Sequence, residues 1–448
     1  MARRSKQKTF QSPKGMSDIL PGVHKYWEKF FKVSKEFATY YGFETIEPPV
    51  LEFAEVFNKG VGASTDIIEH EMYTLKTKGG DFLALRPELT AGVVRAYIEN
   101  SFFNQPQPVK FFHHGPVFRH ESPQAGRYRS FHQADFDVIG ESDAVVDAQL
   151  IQLIYSVLSE IGLKNITIRI NSIGDKNCWN KYRDEVKMYY RSKVNRLCKN
   201  CKKRFKENPL RLLDCKEEDC VVLKATAPNS IDYLDKACHD HFKLVLEFLD
   251  ELSLPYILDP YLVRGLDYYT RTVFEIAPED VSGSQITLAS GGRYDYLVEE
   301  LGGKPTPATG GSIGIERVVN EMRRQELKVA TLKPKIRVFL AQLGDMAKKK
   351  SLKLFGEFRK NNIPVCESFG RDSIKAQLRV ADHSGADLAL IIGQKEAIDN
   401  TVIIKEMQSG IQEIIPLEKI IDEVKKRLKK ITPRVPQLTN NSVDNDNE

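Results

Sequence analysis

Between residues 27 and 41 the apolar positions Trp27, Phe30, Phe31, Val33, Phe37 and Tyr41 fall mostly three or four residues apart, the period of one helix face, and Gly42 ends the run. The next stretch, FETIEPPVLEF, has strand residues interrupted by Pro48 and Pro49. Prolines cannot donate to a ladder, so such a strand belongs at a sheet edge or an interface. From residue 82 to 140 three strand-like runs, FLALRP, VKFFHHGPVFRHE and SFHQADFDVIG, surround one helical segment over 88–100. This predicts an antiparallel sheet with a hairpin. The hairpin's connection at 122–129 carries Pro123, Gly126, Arg127 and Arg129 and reads as a mobile basic loop above two buried strands. A helix over 144–161 and a strand over 166–171 follow.

Residues 176–256 are helical in pattern and do not continue the sheet. Strand signals resume at YLVRGLDYYTRTVFEIA and QITLASGG, and a Gly-rich stretch leads into a helix near 316–325. Sheet strands on both sides of a helical block make that block an insertion. After residue 336 the period changes to regular alternation: IRVFLAQL, a helix over 348–361, IPVCES, a helix over 373–383, ADLALIIG, TVIIKEM, IQEIIPL and a last helix to Lys430. Strands alternating with helices predict a small three-layer α/β domain. Its first strand is not followed by a Gly-rich phosphate loop, which argues against a nucleotide-binding Rossmann unit. The predicted organisation is a flexible basic arm (1–11), one sheet domain (12–175 and 257–330), the helical basic insertion (176–256), the α/β domain (335–430) and a disordered polar tail (431–448).

Charge sharpens this picture. The overall +5 hides a segment, 176–216, with 14 Lys and Arg against 4 Asp and Glu, a net of +10, which leaves the rest at −5. A local basic concentration suits a phosphate backbone, whose condensed counterions are released on binding; a solvated helix face is the other reading. The seven cysteines are odd in number and follow no export-like start, which fits reduced thiols. No uninterrupted apolar run reaches the length that spans a bilayer, and residues 1–10 are basic and polar, so the cytoplasm is the expected location and a membrane is not an expected partner.

Four groups of residues carry candidate chemistry. Arg86-Pro-Glu88-Leu-Thr90 puts a carboxylate and a hydroxyl where a strand gives way to a helix; Glu88 could equally just complement the helix dipole. FRHESPQAGRYRSFHQADFD concentrates Arg119, His120, Glu121, Arg127, Arg129, His132, Gln133, Asp135 and Asp137 in the hairpin. Inward guanidinium groups there suit phosphates, against the alternative of a surface laced with salt bridges. LVRGLDYYTRTVFE sets Arg264, Tyr268 and Tyr269 around a glycine in what reads as a strand, and an amphipathic strand is the competing explanation. SGGRYDYLVEELGG and GGSIGIERV are Gly-rich, the second opening a helix with Arg317 in its first turns, a place for an anion; no P-loop pattern is present.

FRHESPQAGRYRSFHQ, LVRGLDYYTRTVFE, GGRYD and GGSIGIERV together resemble the histidyl-tRNA synthetase family over about residues 12–430, the first and last as class II motifs 2 and 3. The Pro49 strand is similar to motif 1, which builds the homodimer interface of class II enzymes. The resemblance implies an α+β fold: a class II antiparallel-sheet catalytic domain with a helical insertion and a C-terminal α/β anticodon-binding domain. It implies a ligase that joins L-histidine to tRNA-His, using ATP with Mg2+. Carried over position by position, Glu88, Thr90 and Gln133 would hold the histidine ammonium. Asp137 and Tyr269 would read the imidazole, with Tyr268 and Tyr294 lining that pocket. Arg119 would grip the α-phosphate, Arg127 and Arg317 the outer phosphates, and Glu121 the adenine, with Phe131 stacked on it. Arg264 and Arg119 would be the catalytic groups, Arg264 lying between the substrate carboxylate and the α-phosphate. Gln124, Lys199, Lys202, Lys203 and Arg204 would face tRNA.

Leu89 stands where the family commonly has glycine, and Asp137 where many members have glutamate. Cys198-x2-Cys201 and Cys215-x4-Cys220 have near-zinc-knuckle spacing, the second pair looser than usual; idle reduced thiols are the alternative. Competing functions are a regulatory paralogue sensing histidine for ATP phosphoribosyltransferase, a class II synthetase for proline or threonine, and an RNA-binding module. The intact LVRGLDYY stretch and the terminal α/β domain weigh against them.

Overall fold

The computed structural model describes residues 10–62, 65, 67–121, 126–215, 217–279, 287–330, 336–371 and 373–431. The basic arm before Phe10, Gln124 and the tail after Ile431 lie outside these. The chain divides into two compact units, Met1–Ala330 and Thr331–Glu448.

In the first unit the helix Pro21–Tyr40 begins earlier than its apolar stripe, because Pro21 at the first helical position has its φ already set. Gly42, at φ +74°, turns the chain out of it. The strands are β1 (Glu44–Thr45), β2 (Leu51–Phe53), β3 (Thr74–Lys76), β4 (Phe82–Leu85), β5 (Val109–Phe118), β6 (Ser130–Ile139), β7 (Ile166–Ser172), β8 (Tyr256–Leu258), β9 (Thr270–Pro278), β10 (Ala289–Arg293) and β11 (Ala308–Gly314). Eight of them form one sheet in the order β1-β5-β6-β11-β10-β9-β7-β8, antiparallel except at its edges, where β1 runs parallel to β5 and β8 to β7. Pro48 and Pro49 separate β1 at the edge of this sheet from β2 at the edge of a second one, β2-β4-β3.

One face of the large sheet is covered by helices Pro21–Tyr40, Ala144–Ile161, Lys236–Glu251 and Ile315–Arg324, which bury Phe30, Ile151, Ile154, Val245 and Val319 against it. Ala144–Ile161 is by length and composition apolar enough to cross a membrane, although Asp147 and Glu160 interrupt its apolar run. It is a core helix: its Asp147 accepts from Arg293 Nη1 at 2.7 Å and meets His241 Nε2 at 2.8 Å, all three side chains being nearly sealed from solvent. In the small sheet, Leu51, Phe53 and Leu75 share a face by register and stay exposed, while Glu52 and Ala84 point inward.

The helical segment has its own small core of Tyr182, Val186, Tyr190, Leu197, Leu212 and Leu223, among others. This core runs from Tyr182 to Ala227 only; helix Lys236–Glu251 packs in the main core, and β8 returns to the sheet. Residues 261–269, expected as strand, are turns and irregular backbone, and β9 starts at Thr270. Side-chain chemistry overrides β propensity there, since Arg264 folds back onto Glu275 and Ser290.

The second unit matches its alternating pattern closely. Its strands β12 (Val338–Gln342), β13 (Val365–Glu367), β14 (Leu388–Ile392), β15 (Thr401–Glu406) and β16 (Gln412–Pro416) lie in the order β13-β12-β14-β15-β16. Helices Asp345–Lys360, Gln394–Asp399 and Ile420–Lys430 pack on one face through Leu354, Phe358, Ala397 and Val424. Helix Ile374–His383 packs on the other through Ala381, which makes three layers.

Candidate active site

The other face of the large sheet is covered in part by helix Thr90–Glu99, which buries Val93, Val94 and Tyr97 against it, and its open part is the floor of a cleft with about 240 Å³ of interior. Its chemistry follows from strand alternation. On β6, Phe131, Gln133, Asp135 and Asp137 share one face by period two, while Ala134 and Phe136 enter the main core. Cross-strand register then lines up Asp135, Ser312 of β11, Ser290 of β10 and Glu275 of β9 as one transverse row. In the neighbouring row, Asp137 stands beside Gly310 and Gly292. A Cβ at Gly310 would collide with Asp137 Oδ1, so glycine is what admits that carboxylate over the sheet.

Asp137 is fully buried. Tyr294 donates to its Oδ1 at 2.5 Å, Thr90 Oγ1 stands 3.5 Å away, and its Oδ2 has no protein partner among the described residues. Burial pushes its pKa up to about 7, with the Tyr294 hydrogen bond pulling the other way. Glu88 caps the helix Thr90–Glu99, accepting from the backbone N–H groups of Thr90 and Ala91, both at 2.8 Å. It also lines the cleft, where Tyr268 Oη lies 3.4 Å from Oε2, so capping and a place in the site coexist. Burial raises the Glu88 pKa as well. Leu89, the departure from glycine, has φ −105° and a buried side chain, a conformation that needs no glycine.

All four arginines singled out from the sequence reach this one cleft: Arg119, Arg127, Arg264 and Arg317. Arg264 comes from the irregular 261–269 segment. It donates to Glu275 and, at 2.7 Å, to Ser290 Oγ, and lies 5.5 Å from the Tyr269 ring centroid, while Thr287 Oγ1 donates to the other Glu275 oxygen at 3.0 Å. Arg119 donates to Pro87 O at 2.8 Å and sits 5.3 Å from the Phe131 centroid. Arg317 donates to Thr287 O at 2.9 Å, and Arg127 pairs with Glu121 at 3.3 Å. The Arg317 guanidinium is held below its ordinary value by burial and then by the Arg119 charge. Cations packed this closely repel one another, and an anion in the cleft relieves the repulsion.

Thr90, Gln133, Tyr268, Tyr269, Glu121 and Phe131 also line the cleft. Neither Asp137 nor Tyr294 lines it; the hydrogen-bonded pair lies beside Gly310, which does. Lys199, Lys202, Lys203 and Arg204 are not in it; they lie on the helix Lys199–Glu207, with the three lysines exposed. The four Sγ atoms of Cys198, Cys201, Cys215 and Cys220 lie within 4.8 Å of one another. Sequence reasoning gave no role to Glu275 and Ser290, which orient Arg264, or to Asp135, Asp214 and Glu316, which line the cleft. Period two along β6 announces Asp135; nothing local announces the others. Arg86 lies outside the cleft and donates to Pro48 O and Pro116 O, both at 2.8 Å, tying the proline segment to the hairpin.

A family model described as "Histidyl-tRNA synthetase" matches residues 15–318, and one described as "Anticodon binding domain" matches 318–427. A protein of Dehalococcoides mccartyi named "Histidine--tRNA ligase" is 42% identical over 94% of this chain and all of its own length. One of the same name from Halothermothrix orenii is 41% identical over 93% of this chain and 99% of its own. The solved structure of apo S. aureus histidyl-tRNA synthetase is 31% identical, covers 93% of this chain and all of that one, and superposes with a TM-score of 0.74.

Proposed function

The chain belongs to the histidyl-tRNA synthetase family, and from that premise we propose how its cleft works. It is a histidine–tRNA ligase: it activates L-histidine with ATP, releasing diphosphate, and transfers histidine to the 3′ end of tRNA-His. The observation that carries this reading is the convergence of four guanidinium groups on one cleft that also holds the buried carboxylates Glu88 and Asp135 and the tyrosines Tyr268 and Tyr269.

In activation the histidine carboxylate attacks the α-phosphorus of ATP, the bond to the β-phosphate breaks, and diphosphate leaves. Little proton transfer is needed; two anions must be held in line. Arg264, oriented by Glu275 and Ser290, bridges the attacking carboxylate and the α-phosphate, and Arg119 holds that phosphate from the other side. Arg127 and Arg317 take the outer phosphates; Glu121 and Phe131 take the adenine. Glu88, Thr90 and Gln133 surround the amino acid's ammonium group, while Asp137, Tyr268, Tyr269 and Tyr294 match the imidazole nitrogens. An apolar ring would leave these polar groups unmatched, which supports selectivity for histidine. Glu121 and Glu275, the carboxylates beside the arginines, fit Mg2+ arriving with the nucleotide, whose charge would help neutralise the phosphates.

Residues 12–175 and 236–330 serve as the catalytic domain, the remainder of the helical block as the insertion and 335–430 as the anticodon-binding domain, with the cytoplasm as the place of action. The insertion's Lys199, Lys202, Lys203 and Arg204, together with Gln124, are the tRNA contacts. The exposed Leu51, Phe53 and Leu75 face of the small sheet is the homodimer interface. The regulatory-paralogue reading is not favoured, since full-length relatives are named as ligases and the terminal domain is present. Charging tRNA-His with each amino acid in turn tests the assignment. Histidine alone should be transferred efficiently; equal charging with proline or threonine would reject it.

A further inference from the structure

Away from the cleft, two clusters among the described residues have metal-ligand chemistry: Asp175, Cys178, Asp235 and Cys238, and Cys198, Cys201, Cys215 and Cys220. The first is accounted for by helix capping. Asp175 accepts from Asn177 N at 2.9 Å and Asp235 from Cys238 N at 2.8 Å, each opening a helix, and Cys178 Sγ accepts from Asp235 N at 3.2 Å. Its carboxylates already have partners.

In the thiol cluster Cys198 alone caps a helix, its Sγ accepting from Cys201 N; no helix opens on the sulfur of Cys201, Cys215 or Cys220. Cys198 precedes the helix Lys199–Glu207, Cys201 lies in its first turn, Cys215 ends the turn Pro209–Asp214, and Cys220 lies in the helix Glu218–Lys224. Three separate elements thus turn a sulfur toward one point. Cys201, Cys215 and Cys220 are buried and Cys198 is half-buried. The Sγ atoms of Cys198 and Cys215 are 3.8 Å apart. Sulfurs about 2.3 Å from a tetrahedral zinc ion lie about 3.8 Å from one another, whereas a disulfide bond is about 2.05 Å long. Backbone N–H groups already point at two of the sulfurs, Cys201 N at Cys198 Sγ and Cys198 N at Cys220 Sγ, both at 3.4 Å. Such N–H groups suit sulfurs that carry negative charge when bound to a metal ion. The surrounding excess of lysine and arginine over 176–216 favours a doubly negative zinc–tetrathiolate group further.

We propose that Cys198, Cys201, Cys215 and Cys220 bind one zinc ion as a closed, structural tetrathiolate site. As four Zn–S bonds form, the four thiol protons pass to solvent, with no change of oxidation state. The second pair is more widely spaced because Cys220 sits inside the helix Glu218–Lys224. The ion staples a segment with only a small core of its own. That segment touches the active site: Arg211 donates to Gly265 O at 2.5 Å, one residue from Arg264, and Asp214 lines the cleft. Zinc therefore braces the turn Pro209–Asp214 against the loop that presents Arg264. The site does not depend on the ligase reading.

The test uses the full chain, expressed with adequate zinc and purified under reducing conditions. Elemental analysis should find about one zinc per chain, falling below about a tenth in Cys215→Ser and unchanged in Cys178→Ser. Replacing zinc by cobalt in the unaltered chain should give the intense sulfur-to-cobalt charge-transfer and visible ligand-field bands of a tetrahedral tetrathiolate. The cobalt spectrum decides even if Cys215→Ser does not fold. Zinc-free protein, zinc retained by a folded Cys215→Ser, a cobalt spectrum without thiolate bands, or a Cys198–Cys215 disulfide found by alkylation would each overturn the proposal.

Discussion

Asp137 shows how a single residue can be costly to the fold and useful to the site. Its pKa in the folded chain, about 7, lies above the value of about 3.9 in an unfolded chain. Between those values the native state binds the extra proton, so stability falls as pH rises from about 4 to about 7 and stays reduced above that. Asp137→Asn removes this penalty together with the charged acceptor for the imidazole. At pH 8 the variant should melt no lower than the parent, yet its KM for histidine should rise about tenfold or more. Thermal denaturation and histidine-dependent diphosphate exchange read the two effects, and an unchanged KM would remove Asp137 from the pocket. At this scale the sequence shows Gln133, Asp135 and Asp137 as one strand face, because period two is local. It cannot show that Glu275 and Ser290 hold Arg264, because that contact depends on the register of β9 against β10 and on a loop folding over both.

At the level of elements, local pattern sufficed wherever each strand or helix buries a face by its own periodicity. The hairpin β5–β6, helix Ala144–Ile161 and the strands and longer helices of the second unit appear as their spacing predicts, while the short helix Gln394–Asp399 lies outside that expectation. It failed where a buried charge dictates the backbone, at 261–269, and where β3 joins a small sheet through pairing with a distant strand. The same limit hid the polar network under β10. Arg293, in the GGRYD signature, has no exposed side-chain surface; it donates to Asp147 and, at 3.1 Å, to Asp295, joining β10 to helix Ala144–Ile161. Through Asp147 the network extends to His241 of helix Lys236–Glu251. Arg293→Ala takes from the buried Asp147 its cationic partner of fixed charge, leaving His241 beside it. It should therefore lower unfolding free energy by about 3–5 kcal/mol, measured by denaturant titration; a loss under about 1 kcal/mol would mean the network is not structural.

Across the first unit, guanidinium groups gather in the cleft while lysines spread over the surface of the insertion. The net charge of +5 conceals this division, which only mapping along the chain reveals. Changing Lys199, Lys202 and Lys206 to glutamine should weaken tRNA binding and lower the slope of log affinity against log salt by about 2–3 if each meets a phosphate. An unchanged slope would place tRNA elsewhere. The central claim is that the four arginines make one nucleotide-and-amino-acid site separate from the surface that holds tRNA. Histidine-dependent ATP–diphosphate exchange by Arg264→Ala, run beside tRNA binding by the same preparation, tests it most directly. Exchange should fall at least about a hundredfold with tRNA affinity nearly unchanged; exchange close to that of the parent, or equal loss of both, would contradict the claim.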